Sequence, residues 1–299
     1  DANFHGAATF TYTVTDQYCL ESTATATLQI AAVNDAPVTA GETAQTDEDI
    51  GLVFTQAQLL ANDSDVDTVT DNQVLSVSRV GLAQHGAALI DSQGLVRFVP
   101  DANYHGPASF TYWVSDGNGA ETPAVVNISI AAVNDIPTVV GETIDMNEDT
   151  TLVLTQAALL ANDSDPDTVT DGQVLRVSAV SNAANGTVRL RPDGKIEFVP
   201  DHDFYGTAGF DYTVSDGVGG MATTRATLLI ANVNDAPTAQ GESISGAIED
   251  AVFTIGKATL LANDADVDNA HSDLVVGWVG SATGGTVRIN ASGDVVFTP

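Results

Sequence analysis

Basic residues are scarce in this chain: 9 lysines and arginines stand against 40 aspartates and glutamates, a formal charge of -31 over 299 residues. Such a surface repels nucleic acid and anionic lipid, so neither is an expected partner, and cations are the natural ones. Crowded like charge also destabilises a compact state, so the acids either stand apart in water or are neutralised by bound metal. The single cysteine, Cys19, excludes an internal disulfide framework. No apolar run approaches the roughly 18 to 20 residues of a membrane-spanning helix, so direct membrane insertion is not expected. Residue 1 does not open a signal peptide, and the expectation is an interior piece of a longer extracellular chain.

What is abundant is repetition. Shifting the sequence by 100 residues aligns "DANFHG" at 1 with "DANYHG" at 101 and "DHDFYG" at 201, and "VNDAP" at 33 with "VNDIP" at 133 and "VNDAP" at 233. Past residue 250 the register drifts by one, so that "LLANDADVD" starts at 260 rather than 259. Two complete repeats are expected, 37–136 and 137–236, flanked by the last third of a repeat at 1–36 and the first two-thirds of another at 237–299. The terminal pieces together span about one period. They are therefore expected to be a window on a longer array, or else to complete a sandwich by strand donation between molecules. Either way Phe10, Tyr12 and Val14 should be exposed.

Within a repeat the pattern is that of short strands. "SFTYWVSDGNGAETPAVVNISIAAV" alternates apolar and polar residues around an Asp-Gly-Asn-Gly turn, which predicts an antiparallel hairpin with Phe110 and Tyr112 on the core side. "TVRLRPDGKIEFVP" predicts a second hairpin, and "TQAALLAND" one helical turn. About seven short strands per 100 residues, with frequent turn signals, predict an all-β fold of tandem two-sheet sandwiches.

The acids recur in register. Asp63, Asp65 and Asp67 stand on alternate residues, as do Asp163, Asp165 and Asp167, and again Asp264, Asp266 and Asp268. A polar turn favours Asp and Asn on its own, but three copies of the pattern point to a hard cation such as Ca²⁺, which takes about six to eight oxygen ligands from flexible segments.

The strand "FTYWVSDGNG", the strand after it and "VNDIP" resemble the end of a cadherin repeat, and "MNEDTTLVLTQAALLANDSDPD" resembles its opening. The likeness is closest to the bacterial cadherin-like and VCBS-type repeats of large secreted surface adhesins, often exported by type I secretion. It implies seven-stranded Ig-like sandwiches of about one period each and Ca²⁺ bound at the junctions between them. At the junction near residue 135 it implies ligands from Glu48, Asp101, Asn134, Asp135, Asp163, Asp165 and Asp216. Near 235 the set is Glu148, Asp201, Asn234, Asp235, Asp264 and Asp266; near 35 it is Asp1, Asn34, Asp35, Asp63, Asp65 and Asp116. The chain departs from the cadherin linker, which has an aspartate two residues before its Asn-Asp pair: here that place holds Ala32, Ala132 and Asn232. Fewer ions per junction are therefore expected, and Asp67 or Asp71 is a candidate to complete a site within one repeat.

Other chemistries find little support. His5 and His105 are followed in the third copy by Tyr205, and Cys19 by Gly119 and Gly219, so neither type recurs. Ser115 and Ser215 precede Asp-Gly in a hairpin, without the strand-to-helix elbow of a nucleophile. An enzyme is not expected. Two functions remain: a calcium-stiffened extender of an extracellular adhesin on a bacterial surface or filament, and repeats that themselves bind a glycan, a protein or one another. Trp113 has Thr13 and Thr213 at its equivalents, so no aromatic platform repeats, which favours the extender.

Overall fold

The computed structural model describes residues 1–70 and 72–299, in two compact units, Asp1–Asn134 and Asp135–Pro299. Asp71, one candidate ligand, lies outside the described residues.

The first unit opens with a hairpin of strands β1 (Gly6–Thr15) and β2 (Glu21–Ile30), which makes a two-stranded sheet by itself. Seven strands follow: β3 (Glu42–Asp47), β4 (Leu52–Phe54), β5 (Ser76–Gln84), β6 (Gly86–Ile90), β7 (Val96–Pro100), β8 (Gly106–Ser115) and β9 (Glu121–Ala131). They form one sheet in the order β3-β9-β8-β5 and another in the order β4-β7-β6. All pairs are antiparallel except β3 with β9. The expected hairpin is β8–β9. Phe110, Tyr112 and Val114 are fully buried on one face, opposite Val126, Ala124 and Thr122. This is the burial that period-two alternation predicts. Thr111, on the other face, is also covered.

The core is closed from the second sheet by Phe98, whose ring stacks on Phe110 at 5.9 Å, and by Val96. A one-turn helix, Gln56–Leu59, is capped reciprocally by Thr55 and Gln58 and drops Leu59 into the same core. Tyr112 brings a polar tip to this interior: its hydroxyl has two carbonyl acceptors within reach, Leu59 (3.0 Å) and Ala40 (3.2 Å), so its one proton is satisfied where the chain enters the repeat.

The second unit repeats the pattern with β10 (Thr143–Asn147), β11 (Leu152–Leu154), β12 (Arg176–Ala184), β13 (Gly186–Leu190), β14 (Ile196–Pro200), β15 (Gly206–Ser215) and β16 (Met221–Ala231). Its sheets run β10-β16-β15-β12 and β11-β14-β13, with β10 parallel to β16. Each set of seven strands is the two-sheet sandwich expected. After it come β17 (Phe253–Ile255), β18 (Thr286–Ile289) and β19 (Val295–Thr298), which form one sheet of a third copy in the order β17-β19-β18. Residues 242–247 and 274–283, the counterparts of β3 and β5, carry no strand.

Candidate metal centres

The loop after each one-turn helix carries the aspartate series, and the structure divides each series. In the first unit Asp63 turns back to the start of its repeat: its Oδ1 accepts from the Ala40 amide at 2.9 Å, and Tyr112 Oη lies 3.4 Å from Oδ2. Asp163 and Asp264 make the same bond with the amides of Val140 and Gln240, at 2.8 Å each. Their company is a glutamate that the sequence reading passed over. Burial raises the carboxyls of Glu42 and Glu142 above their ordinary value, the charges of Asp63 and Asp163 add to the rise, and the tyrosine hydroxyls partly offset it. In the second unit Tyr212 donates to Glu142 Oε2 at 2.6 Å.

The other two aspartates act together. Asp65 Oδ1 accepts from the Asp67 amide at 2.8 Å, and Asp67 Oδ2 accepts from the Asp35 amide at 2.8 Å, so the loop grips the linker that precedes it. Asp165, Asp167 and Asp135 repeat this within the second unit at 2.9 and 2.8 Å, and Asp266, Asp268 and Asp235 repeat it again. Asn34 donates to Asp116 Oδ2 at 2.6 Å. Asp116 sits at the β8–β9 turn, where its Oδ1 accepts from the amides of Asn118, Gly119 and Ala120. Burial raises this carboxyl, but the Asn34 side chain and the three amides outweigh it and hold Asp116 below the usual range. Asp216 is bound alike by the amides of Val218, Gly219 and Gly220.

At the other end of each complete repeat stands a buried glutamate. Glu48 Oε1 accepts from the Val133 amide at 2.5 Å, and Glu148 Oε1 from the Val233 amide at 2.6 Å. The decisive feature is what these carboxylates leave unused. Glu48, Asp65, Glu148 and Asp165 are all at most 5% exposed, yet Oε2 or Oδ2 of each is buried without a hydrogen-bond partner. A buried anionic oxygen left unpaired is costly, and a bound cation is the partner that its chemistry calls for.

In the second unit three predicted residues converge: one carboxylate oxygen each of Glu148, Asp235 and Asp268 lies within 4.8 Å of the others. Burial, then the charges of Asp149, Asp203, Asp268 and Glu148, push the Asp235 carboxyl up, as expected of acids packed without a counter-ion. Beside it Asp149, His202 and Asp203 form a second group within the same limit. His202 meets Asp203 and stands 3.6 Å from Asp149; Asp203 and then Asp149 raise its pKa. Asp149, His202 and Asp203 were not singled out from the sequence, although the Glu-Asp step that holds Asp149 recurs at 48–49 and 249–250. Asp201, which was, is exposed and outside both groups, as Asp101 and Asp1 are exposed in the first unit. Asn232, at the linker position where the chain departs from cadherins, donates to Asp268 Oδ1 at 2.5 Å. Asn269 ties Asn234 to Asp266 from the other side, at 3.0 and 3.1 Å.

A family model of the cadherin-like domain matches residues 33–131, 133–231 and 233–299. The chain belongs to the cadherin-like domain family. Cadherin-like domains are typically extracellular, non-enzymatic and generally Ca²⁺-binding. Human CDH23 EC21-23 is 16% identical over 89% of this chain and 90% of that one, with a TM-score of 0.51. The protocadherin GammaB4 extracellular domain is 15% identical over the whole chain, with a TM-score of 0.46. An endo-fucoidan hydrolase of glycoside hydrolase family 107 is 16% identical over 76% of this chain, at a TM-score of 0.28. This chain spans about a third of that hydrolase and half of the protocadherin. At this identity the likeness to CDH23 EC21-23 speaks to fold alone. No curated protein matches the chain. Among the described residues, no helix is long and apolar enough to cross a membrane.

Proposed function

We propose that these cadherin-like repeats are a calcium-stiffened extender of a large extracellular adhesin or surface filament, on a bacterial cell. The repeats are framed as 37–136 and 137–236, with parts of two more at 1–36 and 237–299. The observation that carries the reading is the set of buried carboxylate oxygens without partners on Glu48, Asp65, Glu148 and Asp165, at the same positions of successive repeats. All the groups offered are carboxylate, carboxamide or backbone oxygens, the hard donors that Ca²⁺ takes.

Glu148, Asp235, Asp266 and Asp268, with Asn234, would hold the ion near residue 235; Asn34, Asp35, Asp65, Asp67 and Asp116 supply the corresponding donors near residue 35. In the first unit Glu48 repeats the type of Glu148, and in the second Asp135, Asp165, Asp167 and Asp216 repeat those of Asp35, Asp65, Asp67 and Asp116. Asp63, Asp163 and Asp264 anchor the start of their own repeats, whereas Asp1, Asp101 and Asp201 are exposed. When bound, the ion supplies the positive charge that lets these carboxylates pack. The protein's own part is to fix the linker amides of Asp35, Asp135 and Asp235 against the Asp67, Asp167 and Asp268 carboxylates.

The extender is favoured over a glycan-binding repeat by Trp113. Its ring is covered by the Arg79 guanidinium at 3.6 Å, and Glu121 holds the arginine in turn at 3.3 Å. That face is not offered to a sugar. Small-angle scattering with calcium and with chelator tests the reading: the two profiles should differ, and superimposable ones would remove the stiffening role.

A further inference from the structure

One oxygen of the first unit has no place in the ligand sets above, and it belongs to a neutral residue. Gln73 follows the Asp67–Thr70 turn, and Gln173 stands at the same place in the next repeat. The backbone N–H of each donates to the carbonyl of the repeat's third aspartate, Asp67 or Asp167, at 3.4 Å. From there the Gln73 side chain reaches the linker. Its Nε2 donates to Asn34 Oδ1 at 2.7 Å, and Asn34 Nδ2 donates in turn to Asp116 Oδ2 at 2.6 Å. This relay has one sense only. Turning the Asn34 carboxamide over would set its oxygen against the Asp116 carboxylate and its NH₂ against the NH₂ of Gln73.

The other end of the Gln73 carboxamide is unused. Oε1 is buried without a hydrogen-bond partner, in the same loop as the unpaired Asp65 Oδ2 and one amide group's width from Asn34. A residue needed only to tie Asn34 down would lose nothing by leaving its oxygen in water. Buried and unpaired, that oxygen carries a desolvation cost that a cation would offset. The third copy shows that the carboxamide matters more than its place in the sequence. No glutamine follows Asp268, and Asn269 takes over, its Nδ2 donating to Asn234 Oδ1 at 3.0 Å.

We infer that Gln73 is a ligand of the cation in the first unit through Oε1, and that through Nε2 it orients Asn34 toward the same ion. The assignment rests on the calcium reading proposed above and explains why a chain so rich in acid places an amide here. The carboxylates of Asp35, Asp65, Asp67 and Asp116 already exceed the charge of one divalent ion. A further acid would add repulsion, whereas a carboxamide oxygen adds coordination without charge.

Two variants of the full chain test it, by calorimetric titration with calcium and by melting in chelator. Gln73→Met keeps the length of the side chain and removes both polar ends; Gln73→Glu keeps an oxygen in place and removes the donor to Asn34. Gln73→Met should melt in chelator with the parent or above it, and should bind calcium at one site about tenfold or more weakly. Gln73→Glu should melt below the parent in chelator, because it adds a fifth acid, and should bind calcium at that site at least as tightly as the parent. Undiminished affinity at every site in Gln73→Met overturns the assignment. So does equal weakening in both variants, which would leave only the tie to Asn34, and so does a Gln73→Met protein that melts lower by the same amount with calcium and with chelator. A parent chain that takes up no calcium overturns the proposed function itself, and this assignment with it.

Discussion

A carboxylate buried for a cation should reveal itself when the cation is withheld. Glu148 keeps one oxygen on the Val233 amide and leaves the other unpaired beside Asp235 and Asp268. Glu148→Gln preserves the first contact, removes a negative charge from the cluster and puts an amide donor next to two acids. Two opposite effects are expected. With chelator present the variant should be at least as stable as the parent, because an unpaired buried charge costs about 1–3 kcal/mol or more and is gone. With calcium present it should bind more weakly at one site, tenfold or more, while sites within the first unit are unchanged. Calorimetric titration and melting of the same two proteins read both halves. A variant that is destabilised under both conditions would make Glu148 a structural residue only.

At the scale of elements, the start of each repeat is tied to its core strand by a tyrosine, a glutamate and an aspartate: Tyr212 donates to Glu142, and Asp163 holds the Val140 amide. Burial and then the Asp163 charge raise the Glu142 carboxyl above 4.5 in the fold. A carboxyl raised on folding binds its proton more tightly in the native state, so its favourable contribution is complete below 4.5 and fades as pH rises through the higher native value. Asp116, lowered below 3.8, acts oppositely: its contribution is present above 3.8 and is lost as pH falls through its native value. Without calcium, stability should therefore rise on mild acidification towards 4.5 and fall once pH drops below 3.8. Glu142→Gln should raise neutral-pH stability and flatten the first limb while leaving the second. Denaturant melts at a series of pH values measure this, and an unchanged upper limb in the variant would assign the effect to other acids.

The same elements show what could be read in advance. The β8–β9 hairpin and its buried face were legible because alternation is a local signal, and the helical turn expected in "TQAALLAND" stands at Gln156–Leu159. The parallel pairing of β3 with β9 was not, since its partners lie more than 80 residues apart and nothing in either strand marks the other. The recurring aspartates were legible as a set. Their division into Asp63 facing Ala40 and Asp65 with Asp67 facing the linker was not, because it depends on the bridge between Val38 and Ser64, which fixes the chain between Asp63 and Asp65. Asp203 and His202 were missed for a related reason: only one copy of the repeat carries them, and repetition was the signal being followed.

For the whole molecule the excess of acid poses the question that composition first raised, whether the charge is spread or neutralised. A formal charge of -31 makes any salt stabilising to a degree, since the Debye length is already about 8 Å at physiological ionic strength. Screening and binding differ in form. Screening by sodium chloride should raise the melting temperature gradually and without saturation, and it should act little on carboxylates buried away from the ions. Calcium binding should saturate: each independent site contributes about 2.7 kcal/mol once free ion reaches a hundred times its Kd. For domains of this size that corresponds to a rise on the order of 10 °C, reached at a negligible change in ionic strength. Magnesium, which dehydrates reluctantly and demands tighter octahedral geometry, should lie between the two. Melting chelated protein against calcium, magnesium and sodium chloride at matched ionic strength separates the cases. Three coincident curves would mean that the acids are merely spread through solvent, and the unpaired oxygens of Glu48, Asp65, Glu148 and Asp165 would then need another partner.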